Sequence, residues 1–231
     1  MTRGGVVILV PYRPSGDRHR WLWDMVRPEL ERFGWPIVTG TCEGRWSRAP
    51  AVNDAARRAG DWDVAFIADC DTIPDHDGIR RAVQWVQSTG GGVRPHDQRY
   101  MLTQQQTLRA VQRGVESIPV RELKAPWAGG GLDVVTREAW DRVAATNDSP
   151  GAFDESYTGW GYEDSQWHVD LLVTSYWDRL PGVAYHLWHE THDNKPNPES
   201  VQRFRHTQRK HKDAIDAWAA TKGLRKPLAV F

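Results

Sequence analysis

Residues 64–71 read Val-Ala-Phe-Ile-Ala-Asp-Cys-Asp, an apolar run that ends in two carboxylates two residues apart. Such a run predicts a strand buried on both faces, as in a parallel sheet. On an extended chain, residues i and i+2 project to the same side, so Asp69 and Asp71 can converge on one cation. The carboxyl end of a strand is also where open α/β sheets place their ligands. Two adjacent carboxylates repel each other and raise one pKa, and a bound divalent metal relieves that repulsion. Asp also favours turns, and Thr72-Ile73-Pro74-Asp75 is turn-like, so the meaning of the pair depends on the rest of the chain.

A second group of ligand-type residues is His186-Leu187-Trp188-His189-Glu190-Thr191-His192, three imidazoles at i, i+3 and i+6 in a chain with 9 histidines. Neutral imidazole suits Mn²⁺ and Zn²⁺, whereas Mg²⁺ prefers oxygen. Asp71 with two of these histidines therefore leans to Mn²⁺, with Mg²⁺ as the alternative. A zincin-type helix is excluded, because that motif needs its second His at i+4 and His189-Glu190-Thr191-His192 offers i+3. Asn194, Pro196 and Pro198 make the segment a loop.

Gly159-Trp160-Gly161-Tyr162-Glu163-Asp164 places two acids after a glycine turn, at the start of a helix. Acids there complement the helix dipole. The same dipole keeps an Asp ionised, as a general base must be, and spacing alone does not choose between the two readings. Pro11-Tyr12-Arg13 follows the first strand, and Arg48 precedes a helix containing Asn53. Both arginines lie where a nucleotide would cross the sheet edge and could meet phosphate.

The elements that would position these residues alternate regularly. Val6–Val10 reads as a strand, followed by a helix from about Asp17 past Met25 that Pro28 limits or kinks. Ile37–Thr39 reads as a short strand and Ala49–Ala59 as a helix, with Pro50 in its first turn and Gly60 at its stop. After the Asp69 strand comes a helix from about Gly78 to Gln87. Gly90-Gly91-Gly92 reads as a mobile loop, and no Gly-Lys-Ser/Thr follows to make it a P-loop. Residues 94–125 yield only a helix. Leu132–Val135 is a strand, Thr136 caps a helix through Ala145, Glu163–Leu172 is a helix and Val183–Tyr185 a short strand. The tail from Glu199 to about Ala220 is helical and basic, the pattern of a solvated face. This alternation predicts an α/β, Rossmann-like, mostly parallel sheet flanked by helices, in a single domain over residues 1–231.

The 30 Lys and Arg balance 30 Asp and Glu, which argues against a nucleic-acid binder. The 2 cysteines, Cys42 and Cys70, exclude a disulfide framework and fit a reducing compartment. The apolar run after Gly5 is too short for a signal segment or a membrane span, so a cytoplasmic protein is expected. The 13 tryptophans suit stacking on sugar rings, but Trp mostly fills cores.

Taken together, these segments resemble the β-1,4-galactosyltransferase family and related family 2 glycosyltransferases with a GT-A fold. The stretch that carries most of the likeness is residues 46–75, WSRAPAVNDAARRAGDWDVAFIADCDTIPD, where Trp46, Arg48, Ala49, Asn53, Asp69, Asp71 and Pro74 fall in register with the family pattern. Pro11-Tyr12-Arg13 looks like the family's Pro-Phe-Arg, Gly129-Gly130-Gly131 like its Gly-Gly, and Gly159–Asp164 like its Trp-Gly-Trp-Gly-Gly-Glu-Asp. His186 and His189 have the spacing of the family's Met and His metal ligands. Tyr162 stands where the family has Gly, and His186 where it has Met. The likeness covers most of residues 6–195, with no support across 94–125 or after about 196.

The resemblance implies transfer of a hexose or N-acetylhexosamine from a UDP-sugar to a glycan or other hydroxyl acceptor, through a DxD metal site. Asp71, His186 and His189 would hold Mn²⁺, with Asp69 on the ribose or a metal-bound water. Pro11, Tyr12, Arg13, Arg48, Asn53, Gly130 and Trp160 would line the nucleotide-sugar site. Asp164 would be the general base, and Glu163 would shape the sugar pocket beside it. Residues 6–93 would form the nucleotide-binding half, 125–195 the acceptor and metal half, and 196–231 a helical tail. The Glu-Asp pair favours inversion over a retaining, N-acetylgalactosaminyltransferase-like course, where Glu-Asn is usual. A catalytically silent sugar-binding protein would not need both the metal set and Asp164, and a metal-dependent hydrolase or nucleotidyltransferase would want more carboxylates.

Overall fold

The chain runs β1 (Val6–Pro11), α1 (Asp17–Glu31), β2 (Ile37–Gly40), α2 (Arg48–Ala59), β3 (Val64–Ala68), β4 (Thr72–Pro74), α3 (His76–Thr89), β5 (Gly92–Arg94), β6 (Gln98–Met101) and α4 (Gln104–Arg113). It continues through β7 (Leu132–Thr136), α5 (Arg137–Ala144), α6 (Glu163–Thr174), β8 (Trp177–Arg179), β9 (Val183–His186), α7 (Pro198–Lys210) and α8 (Lys212–Thr221). The structure, a computed structural model, describes residues 5–13, 17–123, 130–159, 161–190 and 197–223.

Six strands form the main sheet in the order β2-β1-β3-β7-β5-β8. Every residue of β3 is buried because both faces of the sheet are covered. Side chains alternate with a period of two. Val64 and Phe66 therefore enter one core with Leu22, Val26 and Leu30 of α1 and Ile79, Val83 and Val86 of α3. Ala65 and Ile67 enter the other, with Val52 and Ala55 of α2, Val143 of α5, and Trp167 and Leu171 of α6. Continuing the alternation turns Asp69 toward α2, and Arg48 of α2 does reach it. Trp23, Trp62, Trp140, Trp167, Trp177 and Trp218 are all core residues.

The sheet is mixed. β1 is parallel to β2 and β3, and β5 to β8, but β7 is antiparallel to both β3 and β5. The chain enters β7 at the end where β3 stops, so it has to run back down the sheet. That entry lays Gly131 beside Asp69, whose backbone N donates to Gly131 O at 2.9 Å.

A second sheet, β4-β9-β6, was not legible from residue pattern. Thr72-Ile73-Pro74 reads as a turn yet forms β4, with Thr72 opposite His186 in antiparallel register. β6, Gln-Arg-Tyr-Met, lacks apolar alternation and runs parallel to β9. This small sheet is what brings the His186 segment to the Asp71 strand end.

Two further expectations are corrected. Pro28 lies inside α1 without ending it. Both Pro28 and Asp24, the residue four positions before it, are exposed, so water can satisfy the carbonyl that loses its donor. Gly90-Gly91-Gly92 is an ordered junction. Gly90 closes α3 through its N–H to Val86 O at 2.9 Å, and Gly92 begins β5. Gly91 has φ +98°, and a Cβ there would lie 2.3 Å from Tyr176 O, so only glycine fits.

α6 carries a buried polar chain. Tyr157 OH donates to Gln166 Oε1 at 2.9 Å, and Gln166 Nε2 donates to Asp170 Oδ1 at 2.7 Å. Burial pushes Asp170 up to about 7, from an ordinary value of 3.8. A carboxyl raised on folding contributes stability that is complete below its unfolded pKa and is lost as pH rises through the folded one. Asp170→Asn keeps the acceptor oxygen and removes the titration. Its stability should gain on that of wild type between pH 4 and 7, by on the order of 1–3 kcal/mol at the top of that window, and its melting temperature should rise with it. Parallel melting curves across pH 4–8 check this, and a pH-independent gap would refute it.

No helix of the described residues is long and apolar enough to cross a membrane. Both cysteines are free.

Candidate active site

At the carboxyl end of β3, ligand-type side chains from four segments meet. Leu187 N donates to Asp71 O at 2.8 Å, which extends the β4–β9 pairing and holds the two segments in register. Asp71 Oδ2 then lies 3.5 Å from His186 Nε2 and 3.2 Å from His189 Nε2. One ligand atom from each of Asp71, His186 and His189 falls within 4.8 Å of the others. One carboxylate oxygen and two imidazole nitrogens make a donor set that fits a divalent ion of the Mn²⁺ type. Burial works against ionisation of Asp71, yet the two imidazoles outweigh it and hold the carboxyl well below its ordinary range. Asp69 behaves oppositely. Burial raises it, with Asp71 and Asp164 adding to the effect, despite Arg48 and Arg99.

Arg48 opens α2 and is the electrostatic centre of the other half of the site. Its Nε donates to Asp69 Oδ1 at 2.8 Å and its Nη1 donates to Asp164 Oδ1. Its guanidinium lies over the Phe153 ring, 5.4 Å from the centroid. Burial disfavours the charge on Arg48, but Asp164 and Asp69 outweigh that and raise its pKa above the ordinary value. Nη2 is buried without a hydrogen-bond partner among the described residues.

Glu163 and Asp164 form the first turn of α6, entered through Tyr162 in the left-handed region at φ 72°. Among the described residues Tyr162 alone, apart from glycines, has positive φ. Its ring stacks on Phe204 of α7 with centroids 5.1 Å apart, which holds a conformation that glycine would adopt more easily. Glu163 Oε2 accepts from Gly161 N at 3.2 Å. Burial, then the neighbouring Asp164, push Glu163 up to about 7. A Cβ at Gly130 would lie 2.1 Å from Asp164 Oδ2, so any larger residue there would displace that carboxylate. Gly131, at φ +110°, lies against both Arg99 and Asp69.

The remaining expected residues are placed differently. Arg13 Nη1 donates to Gly44 O at 2.7 Å, and its guanidinium lies over Trp46 at 5.4 Å, so it currently props the 42–46 loop. Pro11 ends β1 opposite Gly40, and the Tyr12 ring packs 5.3 Å from that of Trp23. Asn53 is 1% exposed. Its Nδ2 donates to Phe153 O at 2.8 Å and Glu155 Oε1 at 2.9 Å, while Oδ1 accepts from Phe153 N at 3.1 Å. Both amide hydrogens are spent on fastening α2 to the 151–155 loop, so Asn53 has no donor left for a nucleotide. Trp160, Gly129 and His192 lie outside the described residues.

Sequence reasoning missed two arginines of the site. Arg99 on β6 is 8% exposed and its Nε has no hydrogen-bond partner among the described residues. Arg94 on β5 is 2% exposed, and its Nη2 is 2.8 Å from His168 Nδ1. His168 Nε2 in turn is 2.7 Å from Asp133 Oδ1. Burial pushes Asp133 up to about 7, brings Arg94 down to about 10 and, with Arg94 adding to the effect, holds His168 well below its ordinary value.

No protein-family model matches the chain, and no curated protein matches it in sequence. Solved structures do match. A point mutant of Drosophila β-1,4-galactosyltransferase 7, in complex with manganese, UDP-Gal and xylobiose, aligns with TM-score 0.55 at 18% identity, over 87% of this chain and 79% of that one. The chain has a GT-A fold. Glucosyl-3-phosphoglycerate synthase from Mycobacterium tuberculosis, with Mn²⁺, UDP and phosphoglyceric acid, aligns over 97% of this chain and 80% of that one, with TM-score 0.43 and 13% identity. Within the GT-A frame the Asp69–Asp71 pair occupies the end of β3, and the Glu163–Asp164 pair faces it across Arg48.

Proposed function

We propose that this chain is a metal-dependent glycosyltransferase that moves a hexose or N-acetylhexosamine from a UDP-sugar to an acceptor hydroxyl, with inversion. The observation that carries the reading is the double tie of Arg48, which joins the carboxylate beside a three-ligand cluster to the first-turn carboxylate of α6. The complex of the Drosophila enzyme with manganese, UDP-Gal and xylobiose supports it through the shared fold.

In this reading Asp71, His186 and His189 would hold Mn²⁺, or Mg²⁺. When bound, the ion supplies Lewis-acid charge for the diphosphate. The chain's own groups do the rest. Arg48 and Asp69 would face the donor, and Arg13 would bind the nucleotide once freed from the Gly44 carbonyl. Asp164 takes the proton of the acceptor hydroxyl as the acceptor oxygen bonds to the anomeric carbon and the bond from that carbon to UDP breaks. Attack from the side opposite UDP inverts the centre. Glu163, protonated up to about pH 7, suits a hydrogen-bond donor to a sugar hydroxyl better than a base. Asp164 can act only once Arg48 releases it, so donor binding that engages Arg48 would precede proton transfer.

The test is a melting shift with UDP, with and without Mn²⁺. Ligand at about 100 times Kd adds about 2.7 kcal/mol, a rise of about 5–10 °C for a chain of this size. A shift that requires both is expected. A shift with another nucleotide instead would overturn the donor, and none with any nucleotide would overturn the reading.

A further inference from the structure

Arg94, His168 and Asp133 come from β5, α6 and β7, and all three are at most 2% exposed. A buried cation and a buried carboxyl are costly to desolvate, and apolar residues of similar volume serve stability as well or better. The chain of contacts has a single proton arrangement. A guanidinium only donates, so His168 Nδ1 must accept from Arg94 at 2.8 Å, and the imidazole proton sits on Nε2, donating to Asp133 Oδ1 at 2.7 Å. The neutral imidazole thus joins a cation on one strand to a carboxyl on another. Trp177 closes over it, 4.8 Å from the His168 ring and 5.7 Å from the Arg94 guanidinium.

What this network holds is the start of α6. His168 follows Asp164 by four residues, one helical turn on the same face. Asp133 lies opposite Ile67 in β3, two residues before Asp69. Nonpolar contacts allow a helix to slide or rotate by fractions of an ångström, whereas two directional hydrogen bonds to different strands do not. We propose that Arg94, His168 and Asp133 are positioning residues that fix α6 against the sheet so that Asp164 stands correctly for proton removal. This rests on the reading of Asp164 as the base.

The deciding variant replaces the network with apolar residues, Arg94→Met, His168→Leu and Asp133→Leu together. Wild type and variants are assayed for UDP release from a panel of UDP-hexoses and UDP-N-acetylhexosamines with Mn²⁺, water being the acceptor. The triple variant should melt within a few degrees of wild type and keep its shift with UDP and Mn²⁺. Its kcat should fall at least about tenfold, with donor KM little changed. A folded triple variant with wild-type kcat would overturn the proposal.

Asp164→Asn is run beside it. If Asp164→Asn loses the rate and the triple variant does not, the positioning role alone fails. If Asp164→Asn keeps the rate, the base assignment itself is wrong. Should the triple variant not fold, ¹⁵N-histidine NMR of the wild-type protein decides. His168 should stay neutral with its proton on Nε2 from pH 5 to 8. A proton on Nδ1, or titration in that range, would overturn the network.

Discussion

Asp71→Asn should abolish the Mn²⁺-dependent part of UDP binding while leaving the fold intact. Asn has the same shape but a neutral, weaker oxygen donor, and among the described residues Asp71 is the carboxylate that groups with both His186 and His189. The backbone tie that sets the register, Leu187 N to Asp71 O at 2.8 Å, does not involve the side chain. The melting temperature without ligand should therefore stay within a few degrees of wild type. The shift of about 5–10 °C expected with UDP and Mn²⁺ should collapse to the value with UDP alone. Transfer should fall by several orders of magnitude, since loss of Lewis-acid charge on a departing diphosphate is worth several kcal/mol. A titration of Mn²⁺ against the melting shift reads this directly. An unchanged Mn²⁺ requirement would move the metal away from Asp71.

The parts of the molecule that were legible in the sequence share a cause. Residues 64–68 are apolar throughout because both cores need them, so the strand and the carboxylates at its end announce themselves. His186 and His189 were visible because imidazoles at that spacing are rare. What was not legible depends on partners far away in the chain. Thr72–Pro74 has turn chemistry and becomes a strand only because β9 pairs with it. β6 shows no apolar alternation because just Arg99 of its four residues is buried. Arg94, Asp133 and His168 are single polar residues in unremarkable surroundings, 39 and 35 positions apart along the 231-residue chain. Nothing local says that they meet in the core. Asn53 illustrates the converse. Its place in a familiar pattern suggested a ligand contact, and its hydrogen bonds show it fastening a helix to a loop.

Asp164→Asn should remove transfer and spare donor binding. General-base catalysis contributes about 10²–10⁴ to rate, and an amide accepts no proton, so a loss of that size in kcat is expected. Two features of the site sharpen the prediction. Gly130 leaves the Asp164 carboxylate its present place, since a Cβ there would lie against Oδ2 and displace it. Arg48 pairs with both Asp164 and Asp69, so the amide variant leaves the guanidinium with Asp69 as its remaining anionic partner. A buried cation that loses one of two carboxylates should be drawn more strongly to a diphosphate. The shift with UDP and Mn²⁺ should therefore be equal to or larger than that of wild type, even as turnover disappears. Loss of both binding and turnover would mean that Asp164 organises the donor site, and retained turnover would place the base elsewhere. A melting shift that is kept or enlarged while kcat collapses is the outcome expected of a base tied to Arg48.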